Sequence, residues 1–163
     1  MAVSATTRPP RVDEINGKHY YFLSSEEFKS RREAQEFVEC AEVHKSGFWY
    51  GTLKSEIERI QQAGRWVLLE IDVEGALQVM QLYPEAISIF LKAPSVEKYE
   101  ERLRSRQTET EEVIQRRLRT AAEELKLAGS YRYQVINDDL DSAVQSICDI
   151  LDAREKEFHA QRA

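Results

Sequence analysis

Metal-binding and redox-active side chains are scarce in this sequence. The 163 residues include two cysteines and three histidines. Cys40 and Cys148 lie far apart, so neither a zinc knuckle nor a redox CxxC pair is present. His19, His44 and His159 are equally scattered and form no HExxH motif. We therefore predict that the protein itself holds no metal ion and that both thiols are buried and unreactive.

A net positive charge and long apolar segments are also missing. The formal net charge is -6 and the isoelectric point is about 5.2, which excludes a broad positive field that attracts nucleic acid or anionic membranes. No apolar run approaches the roughly 20 residues that span a bilayer, and residues 1–5 lack the apolar core of a signal peptide. We expect a cytoplasmic protein with no nucleic-acid or membrane partner.

What is present is the composition of a globular protein, 42% hydrophobic and 32% charged, with its apolar residues in short runs. The runs at 66–72, 86–91 and 133–138 are nearly continuous, as in the strands of a parallel sheet that is buried on both faces. A helical pattern follows each of them. This alternation predicts an α/β fold with a parallel sheet flanked by helices.

Two segments interrupt the alternation. Residues 17–50 are rich in aromatics and broken by glycines, which favours short strands and turns in a small mixed β lobe. A helix over 53–63 that stops at Gly64 closes this lobe. Residues 99–128 form a long charged helical stretch, and such a stretch is typical of a solvated helix face held by i,i+4 ion pairs.

Two arginines flank a pair of prolines at residues 8–11. The prolines hold the backbone near polyproline II, in which three residues make a turn, so Arg8 and Arg11 project from one side. Each guanidinium can bind a phosphate in a bidentate manner. The same string is common in linkers and in ligands of SH3 domains, and at this point both interpretations stay open.

Neutral hydrogen-bond donors surround this pair in the sequence. Ser4 lies just before it, and Tyr20, Tyr50 and Thr52 lie in or at the end of the aromatic segment. Hydroxyl groups of this kind supplement arginines around a bound phosphate. The alternative is that the aromatic side chains form the core of the small lobe.

Two acids are placed to recognise a purine base. Glu39 lies in an alternating stretch, 36–42, where one acid can face inward. A buried carboxylate can accept from N1–H and the 2-amino group of guanine together, whereas N1 of adenine is itself an acceptor. Asp72 ends the first predicted sheet strand, where ligands bind in open α/β sheets, and it can accept from a base or orient magnesium on phosphates. The alternatives are a surface glutamate and a helix N-cap.

Taken in order, these features resemble the guanylate kinase family across essentially the whole chain. The resemblance rests on blocks in separate predicted elements: residues 3–11 (VSATTRPPR), Glu14, Gly17, Tyr20, residues 36–39 (EFVE), 50–52 (YGT) and 69–76 (LEIDVEGA), Arg102-Leu103 with Arg106, Thr108-Glu109, Arg117-Leu118 and residues 137–140 (NDDL). It implies an enzyme that transfers a phosphoryl group from ATP to GMP, giving ADP and GDP, with magnesium carried by ATP.

The resemblance also implies roles for individual residues. The GMP phosphate is bound by Ser4, Arg8, Arg11, Tyr20 and Tyr50, and guanine is contacted by Glu39, Thr52 and Asp72. Arg102, Arg106 and Arg117 belong to a helical lid over ATP and, with Arg8, stabilise charge on the transferring phosphoryl group, while Asn137 binds on the cofactor side. The implied division is a core phosphate segment at 1–11, a GMP-binding lobe at 12–64, core at 65–98, the lid at 99–128 and core at 129–163.

Two departures from the family pattern are expected to matter. The smaller departure is Gln107, which stands where the family usually has a glycine, together with Ser105 shortly before it. The flexibility of the lid is therefore expected to differ. The family also places a strand, a glycine-rich P-loop and a helix before the segment that starts at Ser4. None of the six glycines here belongs to a GxxxxGK(S/T) motif, so the ATP phosphates lack their usual backbone donors and lysine.

The second departure leads to further expectations. We expect a P-loop NTPase type of fold without its first strand and P-loop, exposed strand edges, and impaired phosphoryl transfer. Three explanations stay open: a truncated enzyme, a homodimer that completes the sheet, and a non-catalytic GMP-binding or protein-interaction module.

Overall fold

The computed structural model describes residues 1–43, 46–105 and 110–160, in two compact units, Met1–Ala86 and Ile87–Ala163. The first unit contains the strands β1 (Ala5–Thr6), β2 (Tyr21–Phe22), β3 (Phe37–Glu42) and β4 (Trp49–Leu53) and the helices α1 (Ser25–Glu33), α2 (Lys54–Gln62) and α3 (Val73–Leu82). The second contains β5 (Ile89–Lys92), α4 (Val96–Ser105), α5 (Glu111–Lys126), β6 (Tyr133–Ile136) and α6 (Leu140–Ala160).

The strands of the first unit form one mixed sheet in the order β2-β1-β4-β3. β1 runs parallel to β2 and antiparallel to β4, and β4 is antiparallel to β3. Side chains alternate between the two faces of each strand. One face carries Ala5, Tyr21, Trp49 and Leu53, which pack with Phe28 of α1 in the hydrophobic core. The opposite face is therefore available for polar side chains.

The aromatic segment contains a helix, α1, so the prediction of strands and turns alone was wrong there. Ser24 Oγ accepts from Glu27 N, and Glu27 Oε2 accepts from Ser24 N, which is a complete capping box. Phe28, the buried residue of α1, stacks on Phe37 at a centroid distance of 4.4 Å. The Ser24-x-x-Glu27 pattern is typical of a helix N-terminus and could have predicted α1. The aromatic residues on both sides of it favoured strands instead.

At the end of the first unit, the predicted helix is confirmed and the predicted strand after it is wrong. The helix predicted over 53–63 is α2, and Gly64 follows it at φ 65 in the left-handed conformation that suits glycine. The strand predicted at 66–72 is wrong, because in the described part of the chain no strand pairs with it. Ala2 N donates to Leu68 O at 2.9 Å, but one bond does not make a ladder. Trp66 and Leu68 are each 58% exposed, unlike a strand buried on both faces.

The second unit is built on a parallel pair of strands. β5 and β6 pair with Phe90 opposite Gln134 and Leu91 opposite Val135, so parallel pairing of the two later predicted strands is confirmed. The charged stretch is helical as α4 and α5. Cys148 of α6 is exposed, so the prediction of a buried thiol is wrong at that position. No helix within the described ranges combines the length and the apolar character needed to cross a bilayer.

Candidate functional site

The predicted phosphate and guanine ligands lie on the four-stranded sheet or on segments next to it. Side chains two residues apart on a strand point to the same side. β4 therefore carries Tyr50 and Thr52 on one face, and the register places Glu39 of β3 opposite Thr52. Ser4 lies two residues before Thr6, whose β4 partner is Tyr50, so Ser4 falls on this face too. We term it the site face; it lies opposite the hydrophobic core and holds Ser4, Tyr20, Glu39, Tyr50 and Thr52.

Arg8 is the centre of the phosphate end of the site face. Its side chain is 15% exposed, its Nε donates to Tyr50 Oη at 3.2 Å, and its guanidinium carbon lies 5.5 Å from the centre of the Tyr20 ring. The two tyrosine rings meet edge to face with centroids 5.9 Å apart. Burial raises the pKa of Tyr20, so its hydroxyl stays neutral and can donate. Three of the five predicted phosphate ligands are thus in contact.

Glu14 joins both ends of the RPPR string, although sequence reasoning gave it no role of its own. Its Oε1 accepts from Arg8 Nη2 at 2.8 Å, and its Oε2 accepts from Arg11 N at 2.7 Å. The Arg8 hydrogen bond is the main reason that the pKa of Glu14 falls to about 2. Glu14 is therefore ionised at neutral pH and orients Arg8 through a charge-assisted pair. The Arg11 side chain is exposed, and its part in binding phosphate stays a prediction.

Glu39 is the centre of the guanine end of the site face. It is only 4% exposed, and in the described residues its Oε1 has no hydrogen-bond partner. Burial raises the pKa of Glu39, an effect that Thr52 partly offsets and the Asp72 carboxylate reinforces. The Thr52 hydroxyl oxygen also lacks a hydrogen bond of normal geometry, so Thr52 is a neighbour of Glu39 rather than a full partner. A buried oxygen without a donor is costly, and a ligand can supply that donor.

Helix α3 positions the second acid beside Glu39. Asp72 is its N-cap, with Oδ1 accepting from Gly75 N at 2.8 Å, so the alternative role of Asp72 as a helix cap is confirmed. Gln78 of the same helix accepts from Cys40 N and donates to Cys40 O. β3 is an edge strand of the sheet, and the glutamine amide satisfies the outward backbone N–H and C=O of Cys40. A single glutamine in a helix gives no motif from which this docking could be predicted.

Gly75 completes the surroundings of the acid pair. A Cβ at this position would lie 2.6 Å from Glu39 Oε2 and 3.2 Å from Asp72 Oδ1. The first distance is far inside van der Waals contact, so a larger residue would displace the Glu39 carboxylate. The available sequence signal was a glycine in the first turn of a helix, where glycine is otherwise unfavourable.

The second unit carries the other predicted residues. Arg102 of α4 donates from Nη1 to Asn137 O at 2.6 Å and from Nη2 to Asp138 O at 2.9 Å, so its guanidinium binds the backbone just after β6. Arg117 is half-buried on α5, and Arg106 lies outside the described residues. The catalytic roles of these arginines and the cofactor-binding role of Asn137 stay predictions.

Glu39→Gln is expected to stabilise the ligand-free protein at neutral pH. Because its folded pKa is raised, Glu39 stays protonated over a pH range in which the unfolded chain ionises. The contribution of Glu39 to stability therefore falls as pH rises above the ordinary value of 4.5, and the glutamine variant lacks this contribution. We expect a gain on the order of 1 kcal/mol in the free energy of unfolding at pH 7 and none near pH 4.

Urea denaturation at several pH values measures this difference. The matched control is Glu58→Gln, since Glu58 is exposed on α2 and its neutralisation should give no such pH-dependent gain. A stability difference between wild type and Glu39→Gln that does not change with pH would contradict the raised pKa.

Known proteins are similar to this chain in sequence and in fold. A family model described as guanylate kinase matches residues 1–154. The guanylate kinase of Rhodopirellula baltica is 48% identical over 152 residues, 93% of this chain and 73% of that protein. That of Desulfitobacterium hafniense is 47% identical over 150 residues, 92% of this chain and 74% of that protein.

The fold is also similar to a solved structure. The crystal structure of guanylate kinase from Anaplasma phagocytophilum matches with a TM-score of 0.77 at 36% sequence identity, covering 94% of this chain and 74% of that one. This likeness confirms the α/β class of the fold, with a mixed sheet and helices. Since the family model covers nearly the whole chain and relatives approach half identity, this chain belongs to the guanylate kinase family of nucleotide kinases.

Proposed function

We propose that the site face binds GMP and that the protein transfers a phosphoryl group from ATP to GMP, giving ADP and GDP. One observation carries the GMP assignment: the Glu39 carboxylate is 4% exposed and has an oxygen without a partner in the described chain. This acid shares a sheet face with the cluster of Arg8, Tyr20 and Tyr50. Membership of the guanylate kinase family supports the reaction.

At the guanine end, the base is recognised by charge and hydrogen bonding. The Glu39 carboxylate accepts from N1–H and the 2-amino group, a pair that only guanine presents together. Thr52 and Asp72 lie beside it and contact the base from the same side. Adenine presents an acceptor at N1 and is rejected, because a site built to pair polar groups discriminates strongly against a base that leaves them unpaired.

At the phosphate end, Arg8 and its neighbours bind the GMP phosphate. A guanidinium has five N–H donors. Within the described chain, Arg8 uses three of them, on Tyr50, on Pro9 O and on Glu14, so two are left for phosphate oxygens. The hydroxyls of Tyr20 and Tyr50 add neutral donors, and Ser4 and Arg11 complete the set.

For the ATP side, we propose that Arg102, Arg106 and Arg117 stabilise charge on the transferring phosphoryl group and that Asn137 contacts ATP. Magnesium enters bound to the ATP phosphates, as part of the substrate. The 163 residues contain no GxxxxGK(S/T) motif. We therefore propose that this polypeptide by itself binds GMP and turns over weakly.

Calorimetric titration with GMP, AMP and ATP, together with a coupled assay for ADP formation, tests this function. Binding of GMP with much weaker binding of AMP supports the site. Binding of GMP without any ADP formation favours the alternative of a non-catalytic GMP-binding module. Failure to bind GMP overturns the proposed GMP site. Rapid ADP formation overturns the proposal that turnover is weak.

The cellular location and the oligomeric state are proposed from the sequence and from exposed residues of the second unit. We propose a cytoplasmic protein with GMP and ATP as partners and without nucleic-acid or membrane partners. A homodimer that completes the sheet is supported by Leu91 of β5 and Ile136 of β6, both of which are exposed. Sedimentation equilibrium tests this assembly, and a monomer at high protein concentration overturns it.

A further inference from the structure

A second buried carboxylate lies behind the site face. Glu56 of α2 is 2% exposed, and both of its oxygens are engaged. Oε1 accepts from Val3 N at 3.0 Å and from Arg59 Nη2 at 2.6 Å. Oε2 accepts from Tyr21 Oη at 3.2 Å and from Arg59 Nε at 3.0 Å. One side chain therefore ties α2 to the segment before β1 and to β2.

The two anchors of Glu56 are sequence neighbours of proposed phosphate ligands. Val3 directly precedes Ser4, and Tyr21 directly follows Tyr20. Tyr21 N also donates to Ser4 O at 2.9 Å. Val3 binds Glu56 through its backbone N–H, and Tyr21 does so through its side-chain hydroxyl. Because successive strand residues point to opposite faces, the side chain of Tyr20 lies on the site face while that of Tyr21 lies on the α2 side. Movement of either anchor moves its neighbour.

The guanine end has separate supports. Glu39 lies opposite Thr52 in the β3–β4 ladder. Asp72 is held at the start of α3 by its bond from Gly75 N, and α3 is docked on β3 through Gln78. A change at Glu56 is therefore expected to disturb the phosphate end and to leave the guanine end in place.

We propose that Glu56 is a positioning residue for the GMP phosphate, which it holds in place through Val3 and Tyr21 without touching it. This inference rests on the proposed GMP site. The contacts also fix the start of β1, from which the chain continues to Arg8. Hydrogen bonds from Arg59 lower the pKa of Glu56, so at neutral pH the carboxylate is ionised and accepts from all three partners.

The test compares GMP with guanosine, which differ by the phosphate alone. Glu56→Gln keeps the side-chain shape but replaces one acceptor oxygen with an NH2 donor, so either Val3 N and Arg59 Nη2 or Arg59 Nε loses its acceptor, and the charge that holds the network is removed. We expect calorimetry to give a Kd for GMP raised about 10- to 30-fold and a Kd for guanosine changed by less than about threefold, because displaced ligands lose charge-assisted hydrogen bonds to the phosphate and not to the base. The exposed control, Glu58→Gln, should change neither.

A gentler variant keeps the test valid if Glu56→Gln does not fold. Tyr21→Phe removes one hydroxyl from the same network and keeps the ring in the core, and we expect about three- to fivefold weaker GMP binding with guanosine unchanged. Equal losses for GMP and guanosine, or no loss for GMP, overturn the inference. A wild-type chain that binds GMP no more tightly than guanosine instead overturns the proposed phosphate site, so the two failures are distinguishable.

Discussion

Arg8→Ala is expected to raise the Kd for GMP by about 100-fold or more and to leave the Kd for guanosine within about threefold. The Arg8 side chain is 15% exposed and is held by Tyr50 and Glu14. Its hydrogen bonds to a phosphate would thus form in a shielded, preorganised setting. Truncating one partner of such a charge pair costs about 2–5 kcal/mol, and the variant also leaves Glu14 without its cation.

Two further variants separate geometry from charge at this position. Arg8→Lys keeps the positive charge but loses the planar fork, so it should fall between wild type and alanine. Arg65→Ala removes an exposed arginine of the same unit and should leave both ligands unaffected. Calorimetry on all three variants makes the comparison. If Arg8→Ala weakened GMP and guanosine equally, Arg8 would be acting on the fold and not on the phosphate.

The set of residues on the site face was predicted from the resemblance to the guanylate kinase family, and sequence patterns alone supported only part of it. The alternation at residues 36–42 and the RPPR string depend on local chemistry that a single sequence displays. Arg8, Tyr20 and Tyr50 accordingly lie in contact, and Glu39 is buried. The parallel pairing of β5 with β6 was likewise predictable from two short apolar runs.

What the sequence could not supply depends on partners distant along the chain. Whether residues 66–72 form a strand depends on a neighbour for its ladder, and apolar composition alone does not reveal that neighbour. Glu56 resembles any other glutamate in a charged helix until Val3 and Tyr21 are brought to it. Gln78 and Gly75 gain their roles only where α3 meets β3. The pattern of a single sequence predicts the buried face and the periodicity of a helix or strand. It does not predict contacts between side chains that are distant along the chain.

Glu39→Ala is expected to abolish the preference for guanine. GMP and IMP differ in the 2-amino group, so wild type should bind GMP more tightly, whereas the variant should bind the two with nearly equal affinity. Two hydrogen bonds to a charged acceptor are worth about 1.5–3 kcal/mol each, so the Kd for GMP should rise about 100-fold or more. The Kd for inorganic phosphate should stay unchanged, because Arg8 and the tyrosines remain. Calorimetric titration with the three ligands measures these effects.

Gly75→Ala moves the Glu39 carboxylate without removing it. This variant therefore tests whether the position of the carboxylate determines base recognition. The added methyl group would lie 2.6 Å from Glu39 Oε2, which forces the acid to move while it keeps its charge. If base recognition depends on where this oxygen lies, Gly75→Ala should lower the ratio of GMP to IMP affinity in the same direction as Glu39→Ala. Glu58→Ala, on the exposed side of α2, should not change that ratio. A Gly75→Ala protein that folds and keeps the wild-type ratio would show that guanine is recognised elsewhere.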